Sequence, residues 1–361
     1  MPQTFRDIDG TNVDQLIYSQ FIKYDLLRPT LNPFAHIIRG SKLVNVFIDV
    51  YELTNILYRY YKYKNPLSLT SCIVNAAIHY RNFFRKFYGV YSNILLIHSS
   101  NNSSINTRFC PEYNNHNLYQ TYNNAEVRSL MDNNISLVNT IVPYLPDIYF
   151  RVNTVEPYVS IADLIIRFKN HGLNPPTFII SNNALAFQVP VICDNTIVLA
   201  KRKDDIVYVG TKDTAITQMM AMVKKREMPV PINQSWLSGL FTLIGYNKRD
   251  VTSLCGTKPA FQLLQNMMMD SETLNPDSIF SYYCDKYKSK GFIRGVKDAD
   301  ELYSKIHNRF KCFDLNQQLA MYATLPESKE NGYLYQLQDK EELFRVNDLY
   351  FRDNPMQLDL L

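Results

Sequence analysis

The sequence predicts an α/β protein: a mostly parallel sheet flanked by helices, followed by a helical C-terminal part. Three observations carry this. Short apolar runs such as Val44–Ile48 and Asn93–Ile97, bounded by polar residues, have the length and composition of strands buried on both faces. Between such runs lie longer stretches with helical spacing, of which Leu67–Phe87 is the clearest. From about residue 211 onward the strand signals stop and helical spacing continues.

The elements follow in order. Residues 1–42 carry weak periodicity and read as an irregular or helical lead-in. A strand at Val44–Ile48 is followed by the helix Leu67–Phe87 and a second strand at Asn93–Ile97. Residues 98–118 are rich in Asn and Ser and read as a loop. Arg128–Leu145 has helical spacing, Asp147–Arg151 reads as a short strand, and Ile161–Lys169 as a helix. Thr177–Ser181 is another strand, and the runs Thr196–Ala200 and Ile206–Gly210 flank the charged turn Lys201–Asp205. Pro229 and Pro231 mark a linker before Trp236. The expected organisation is an α/β domain over 43–228, a helical domain over 229–350 and a tail over 351–361.

Composition narrows the function classes. With 361 residues, 46% of them apolar, the chain has ample mass for a core, and disorder is not the default. The net charge of +4 permits a local basic patch without announcing a nucleic-acid binder. Only 11 glycines argue against a Gly-rich phosphate loop. The 26 tyrosines and abundant asparagines read as the mark of an AT-rich genome, which a viral source would fit. Cys72, Cys110, Cys193, Cys255, Cys284 and Cys312 show no metal-finger or redox spacing and read as reduced thiols. Met1–Gly10 is polar and acidic, unlike a signal peptide, and no apolar run approaches bilayer length. The expected compartment is the cytoplasm, of a cell or of an infected host, with no membrane partner.

Ligand sites in open α/β sheets gather at the carboxyl ends of the strands. Asp49 ends the first strand there, in Val46-Phe47-Ile48-Asp49-Val50-Tyr51-Glu52-Leu53. A carboxylate in that crevice, joined by acids from other strand ends, is how two hard divalent cations are held for phosphodiester hydrolysis.

At this point the order of elements and several local patterns resemble the flap endonuclease and 5′-3′ exonuclease family. The strand ending in Asp49, followed by Leu53–Arg59, is similar to that family's opening motif. Arg108 with Pro111-Glu112-Tyr113 resembles its arginine-then-tyrosine stretch. Ile179-Ile180-Ser181-Asn182-Asn183 with Gln188 resembles the strand that normally ends in an acidic pair. Leu240-Phe241-Thr242-Leu243-Ile244-Gly245, then Asp250 and Leu254-Cys255-Gly256-Thr257-Lys258-Pro259-Ala260-Phe261, looks like the family's helix–three-turn–helix segment, here within 232–268. The resemblance covers roughly residues 43–268 and implies a PIN-like nuclease fold with a DNA-backbone grip.

The acids the resemblance calls for are mostly missing. The second-strand aspartate falls near His98, and the acidic helix motif reads Ser160-Ile161-Ala162-Asp163. The next pair falls on Asn183 and Leu185, and the pair after Gly245 on Tyr246 and Arg249. Only Asp49 and Asp163 survive, with Glu52 and Arg108 as possible helpers. Two carboxylates do not balance two divalent cations and a phosphate, and Arg249 near such a site would repel metal. The resemblance therefore implies a degenerate member, a pseudonuclease with no cofactor. The competing reading is an active magnesium-dependent 5′ nuclease with relocated ligands such as Glu52, Asp147, Glu156 or Asp250. A third is a structural subunit of a viral complex.

For DNA, Gly256-Thr257-Lys258 reads as a turn opening a helix from Ala260 to Met268, with Lys248 and Arg249 nearby. Such a turn presents backbone N–H groups and charge to phosphates without reading sequence. The chain ends Gln357-Leu358-Asp359-Leu360-Leu361, which resembles the sliding-clamp-binding peptide of bacterial replication proteins. That resemblance implies apolar anchors entering a clamp pocket, with Gln357 at the rim. It points to a phage replication or transcription accessory factor. The alternative is that these leucines fold back onto the body.

Overall fold

The computed structural model describes residues 35–54, 65–99, 125–153, 156–170, 172–201, 207–224, 236–246 and 253–270, with a few isolated positions up to Leu325. The described residues up to Lys224 belong to one compact unit, and those from Trp236 onward to a second.

In the first unit a short helix, α1 (Ala35–Ile38), leads into β1 (Leu43–Asp49), and residues 50–54 are helical. Next comes α2 (Pro66–Tyr88). Its start is set by Asn65, whose side-chain oxygen accepts the Leu67 N–H at 2.9 Å, and by Pro66, which has no N–H to leave unpaired. Its end is set by Gly89, which takes the left-handed conformation at φ 66° and donates its N–H to the Arg85 carbonyl. Then come β2 (Tyr91–Ser99), α3 (Ala125–Ile141), a 3-10 turn at Val142–Tyr144, β3 (Ile148–Asn153) and α4 (Pro157–Asn170). β4 (Thr177–Ile180), a 3-10 turn at Ala184–Gln188, α5 (Val189–Ile192), β5 (Thr196–Lys201), β6 (Val207–Gly210) and α6 (Ala215–Lys224) complete it.

The six strands lie in the order β3-β2-β1-β4-β5-β6. Every neighbouring pair is parallel except β5 and β6. The chain moves outward from β1 through β2 to β3, then returns to lay β4 on the other side of β1. The β1/β4 boundary is thus the topological switch point, the place at the carboxyl edge where open α/β sheets bind ligands.

Strand parity assigns each face its cover. Val44, Val46 and Ile48 of β1 share one core with Ile94 and Leu96 of β2, Ile148 and Phe150 of β3, and Phe178 of β4. Tyr80, Phe83 and Phe84 of α2 and Val138 of α3 belong to the same core. Each such side chain contributes about 1.5–3 kcal/mol when fully buried. Burial also holds the Tyr80 phenol far above its ordinary ionisation range, so it stays neutral. The other face, bearing Asn45, Phe47 and Asp49, is covered by α4 against β1 and β2 and by α5 against β5.

The fold class read from the sequence is the one observed. The boundaries moved: the helix expected from Ile161 begins at Pro157, and the stretch expected as one helix to Leu145 ends at Ile141 and continues as the 3-10 turn. His98 and Ser99, expected to begin a loop, extend β2, while 100–118 lie outside the described residues. So do Pro229 and Pro231.

The second unit contains α7 (Leu237–Ile244) and α8 (Thr257–Asp270), packed on each other. Gly245, at φ 70° and ψ 165°, ends α7 with its N–H on the Phe241 carbonyl. The N–H groups of Leu254 and Cys255 both donate to the Leu243 carbonyl, at 2.8 and 3.0 Å, fastening the approach to α8 onto the end of α7. Leu240, Phe241, Leu243 and Ile244 are buried, as are Ala260, Phe261, Leu263 and Leu264.

Candidate functional site

The switch-point crevice is built around Asp49, which is only 1% exposed. Its backbone ends β1 and its side chain caps the helical segment that follows, with Oδ1 accepting the Glu52 N–H at 3.0 Å. Its other oxygen, Oδ2, accepts the Ser181 hydroxyl at 2.7 Å, across the boundary from β1 to the end of β4. Ser181 Oγ in turn accepts the Asn183 N–H at 3.1 Å, and Asn183 Oδ1 accepts the Leu185 N–H at 3.1 Å. Both carboxylate oxygens are therefore engaged by hydrogen bonds that fix the crevice floor. A short O–H···O⁻ contact of this kind is among the stronger neutral-to-charged hydrogen bonds.

Sheet register identifies what else shares Asp49's row. Asp49 pairs with Ile97 of β2, and Ile97 with Arg151 of β3. By alternation these side chains point to the α4 face, since Val46, Ile48, Leu96 and Phe150 occupy the opposite one. The row thus reads Arg151, Ile97, Asp49 and, by its hydrogen bond, Ser181. Ile97 is fully buried. Arg151 is half-buried and stands two strands, or about 10 Å, from Asp49. His98 falls on the other face by the same parity, buried, with its ring edge-on to Tyr51 at 6.0 Å between centroids.

Asp163 lies two turns into α4 on the same side of the sheet. Its Oδ2 is paired with Arg167 Nε at 2.8 Å, one turn onward. Ser160 is buried on that helix, and Glu156 precedes it, its carbonyl accepting the Val159 and Ser160 N–H groups. Glu52 is buried one turn past Asp49. Asp147 is corrected as a relocated ligand. Its carbonyl accepts the Ile94 N–H at the amino end of β3, so it stands at the opposite edge of the sheet from Asp49.

A pair of magnesium ions needs several converging carboxylates. Here the row position facing Asp49 from β2 is an isoleucine, the β4 end offers a hydroxyl and an amide, and Asp163 is already paired with a cation. Arg151 and Arg167 add positive charge where a cation site requires negative. Among the described residues no group of three His, Cys, Asp or Glu side chains converges in ligand geometry. These residues do not fit a two-metal centre.

In the second unit, Gly256 is exposed and its carbonyl accepts the Ala260 N–H at 3.1 Å. The helix expected from Ala260 begins at Thr257, so Thr257 and Lys258 form its first turn instead of a preceding one. Thr257 and Lys258 begin the helix, so their N–H groups have no preceding turn to accept them and lie at its positive end, and Pro259 has no N–H to leave unpaired. Lys258 is exposed. Tyr246 is buried with its ring stacked on Phe241 at 5.5 Å, and Leu185 in the first unit is fully buried; both are core residues. Arg108, Lys248, Arg249 and Asp250 lie outside the described residues, as do Gln357, Leu358, Asp359, Leu360 and Leu361.

Sequence reasoning missed Ser181 as the partner of Asp49, Arg167 as the partner of Asp163, and Arg151 in the row. Arg167 carries a readable signal, four residues after an acid on a helix. Arg151 carries none, because its place depends on pairing across three strands.

No family model matches the chain, and no curated protein matches it. Among solved structures, it is similar to the flap endonuclease of bacteriophage T5 in a pseudo-enzyme–product complex with DNA and metal ions, with a TM-score of 0.48 and 13% identity over 84% of this chain and 97% of that one. It is similar to a T5 protein of the same kind co-crystallised with metal ions, with a TM-score of 0.45 and 12% identity over 78% and 91% of the two chains. It is also similar to the T5 5′-exonuclease with bound zinc, with a TM-score of 0.45 and 12% identity over 84% and 99%.

Proposed function

We propose that this chain is a DNA-binding protein on a flap-endonuclease-like scaffold that does not cleave, a pseudonuclease acting as an accessory factor in viral replication or transcription. The observation that carries this reading is the row Arg151, Ile97, Asp49 and Ser181. Where a nuclease of this kind needs converging negative charge, the row supplies one carboxylate, a buried hydrocarbon, a hydroxyl and a guanidinium. The scaffold keeps Asp49 as a structural acceptor that ties β1 to β4.

DNA binding is supported by the residues that resemble the helix–three-turn–helix segment. The N–H groups of Thr257 and Lys258, with the Lys258 charge, suit a phosphate oxygen. Such contacts hold the backbone without reading sequence and weaken with salt. The terminal Gln357–Leu361 peptide, by its resemblance to clamp-binding peptides, supplies a tether to a sliding clamp.

The test uses the full chain with a flapped DNA duplex. The expected result is salt-sensitive binding with no cleavage in millimolar magnesium or manganese. Lys258→Glu should reduce the slope of log affinity against log salt by about one. Metal-dependent cleavage abolished by Asp49→Ala would overturn the noncatalytic reading. Failure to bind DNA at all would overturn the nucleic-acid reading.

A further inference from the structure

The amino edge of the sheet, opposite the crevice, carries a patch that the reading above does not use. Tyr91, the first residue of β2, is 59% exposed, and Tyr144, in the turn before β3, is 84% exposed. Bases lie beside Tyr91. The Tyr91 N–H donates to the Lys42 carbonyl at 3.0 Å, which sets Lys42 beside it. The Arg85 guanidinium sits 5.9 Å from the Tyr91 ring centroid, and Lys86 follows in the last turn of α2. Arg81 donates to the Pro146 carbonyl at 2.9 Å, tying this end of α2 to the turn that holds Tyr144. Lys42, Arg85 and Lys86 are exposed, and no carboxylate among the described residues pairs with them.

Arg85 and Lys86 complement the negative end of α2, and that alone would explain two of the bases. It does not explain Lys42, which belongs to no helix end, nor the Tyr91 ring left in water beside the charges, with a second exposed ring, Tyr144, on the turn tied to α2 through Arg81. Exposed rings interleaved with unpaired cations are the recurrent chemistry of single-strand binding. Bases stack on the rings while cations follow the phosphates. A duplex cannot use the rings, because its bases are already stacked on each other.

We propose that this amino edge is a second nucleic-acid surface that takes single-stranded DNA, with Tyr91 and Tyr144 as stacking platforms and Lys42, Arg85 and Lys86 as phosphate contacts. All five residues belong to the first unit. The surface is therefore independent of Lys258, and its test separates cleanly from that of the function proposed above.

The experiment measures binding of the full chain to a fluorescent oligothymidine of roughly a dozen nucleotides, the span of a compact single-strand site, across a salt series. The triple variant Lys42→Glu/Arg85→Glu/Lys86→Glu should weaken binding and lower the salt slope by roughly two, at about 0.7 per phosphate contact on a single strand. Tyr91→Ala/Tyr144→Ala should weaken it about fivefold or more for each stacked base while leaving the slope unchanged. Circular dichroism and the thermal midpoint check that both variants remain folded. Lys258→Glu should leave oligothymidine binding by this edge in place. Unchanged affinity in the charge-reversed variant overturns the proposal. So does an unchanged affinity in the tyrosine variant, which would mark the patch as a contact for an acidic protein or as plain helix-end compensation.

Discussion

Ser181→Ala isolates the hydrogen bond that closes the crevice. The substitution removes a donor to a carboxylate that is 1% exposed and an acceptor for the Asn183 N–H. A hydrogen bond to a charged group contributes about 1.5–3 kcal/mol, and the backbone bond roughly 1 kcal/mol more, so the loss should be about 2.5–4 kcal/mol. For a unit of this size that lowers the thermal midpoint by roughly 5–15 °C. Asp49→Asn makes the companion variant. Its amide oxygen still accepts the Glu52 N–H, and its NH₂ donates to Ser181 Oγ, which has a second lone pair free of the Asn183 bond. The Ser181 hydroxyl then loses the acceptor of its own proton, so that variant should cost about 1–3 kcal/mol. Urea melts of the three proteins, with and without millimolar magnesium, give the comparison. If Ser181→Ala costs less than about 0.5 kcal/mol while Asp49→Asn stabilises, the carboxylate is a repelled charge awaiting a cation and not an anchored acceptor. Magnesium-dependent stabilisation of the wild type, absent in Asp49→Asn, would refute the reasoning by the linkage of ligand binding to stability.

Two further perturbations test the scaffold. Asp194 accepts hydrogen bonds from Lys169 at 2.8 Å and Lys212 at 3.2 Å, which lower its pKa from 3.8 to about 2. A depressed carboxylate pKa adds stability that is present above the unfolded value and lost as pH falls through the folded one. The gap in urea midpoint between wild type and Asp194→Asn should therefore be full above pH 4 and close toward pH 2. Because the Asp194 side chain is half-exposed, that gap should stay within about 1 kcal/mol and shrink with salt. In Gly210→Ala the new methyl would overlap the ring of Phe187, which is fully buried, and press on the Ala215 backbone at 3.3 Å. A loss of about 1–3 kcal/mol is expected for such overpacking, read as a lowered thermal midpoint. An unchanged midpoint would show that the β6–α6 corner yields.

How much was legible in the sequence follows from the range of the physics involved. β1 and β2 were readable because a strand buried on both faces is a local run of apolar residues, whatever lies beside it. α2 was readable for the same reason, with Asn65, Pro66 and Gly89 punctuating its ends. The start of α8 was misread by three residues because Gly256-Thr257-Lys258-Pro259 has the composition of a turn, although proline within a first helical turn loses nothing. That Asp49, Ser181 and Asn183 stand at strand ends is readable in the sequence; the hydrogen-bond network that joins them is not. That Ile97 and Arg151 share a row with Asp49 depends on register, and one residue of slip would have turned each to the other face. Tyr91 and Tyr144 gave no signal either, since a tyrosine in a strand or turn is ordinarily core.

The row through Asp49 also bears on what small genetic steps can do to this protein. An acid introduced at Ile97 alone would place an unmatched negative charge in a site fully shut from water, at a cost of several kcal/mol. That is comparable to the whole stability of a domain. Removing Ser181 first would strip an existing partner of Asp49 before any benefit appeared. A charge introduced in this buried row is therefore far more costly than a substitution on the exposed surface, where most changes stay within about 0.5 kcal/mol.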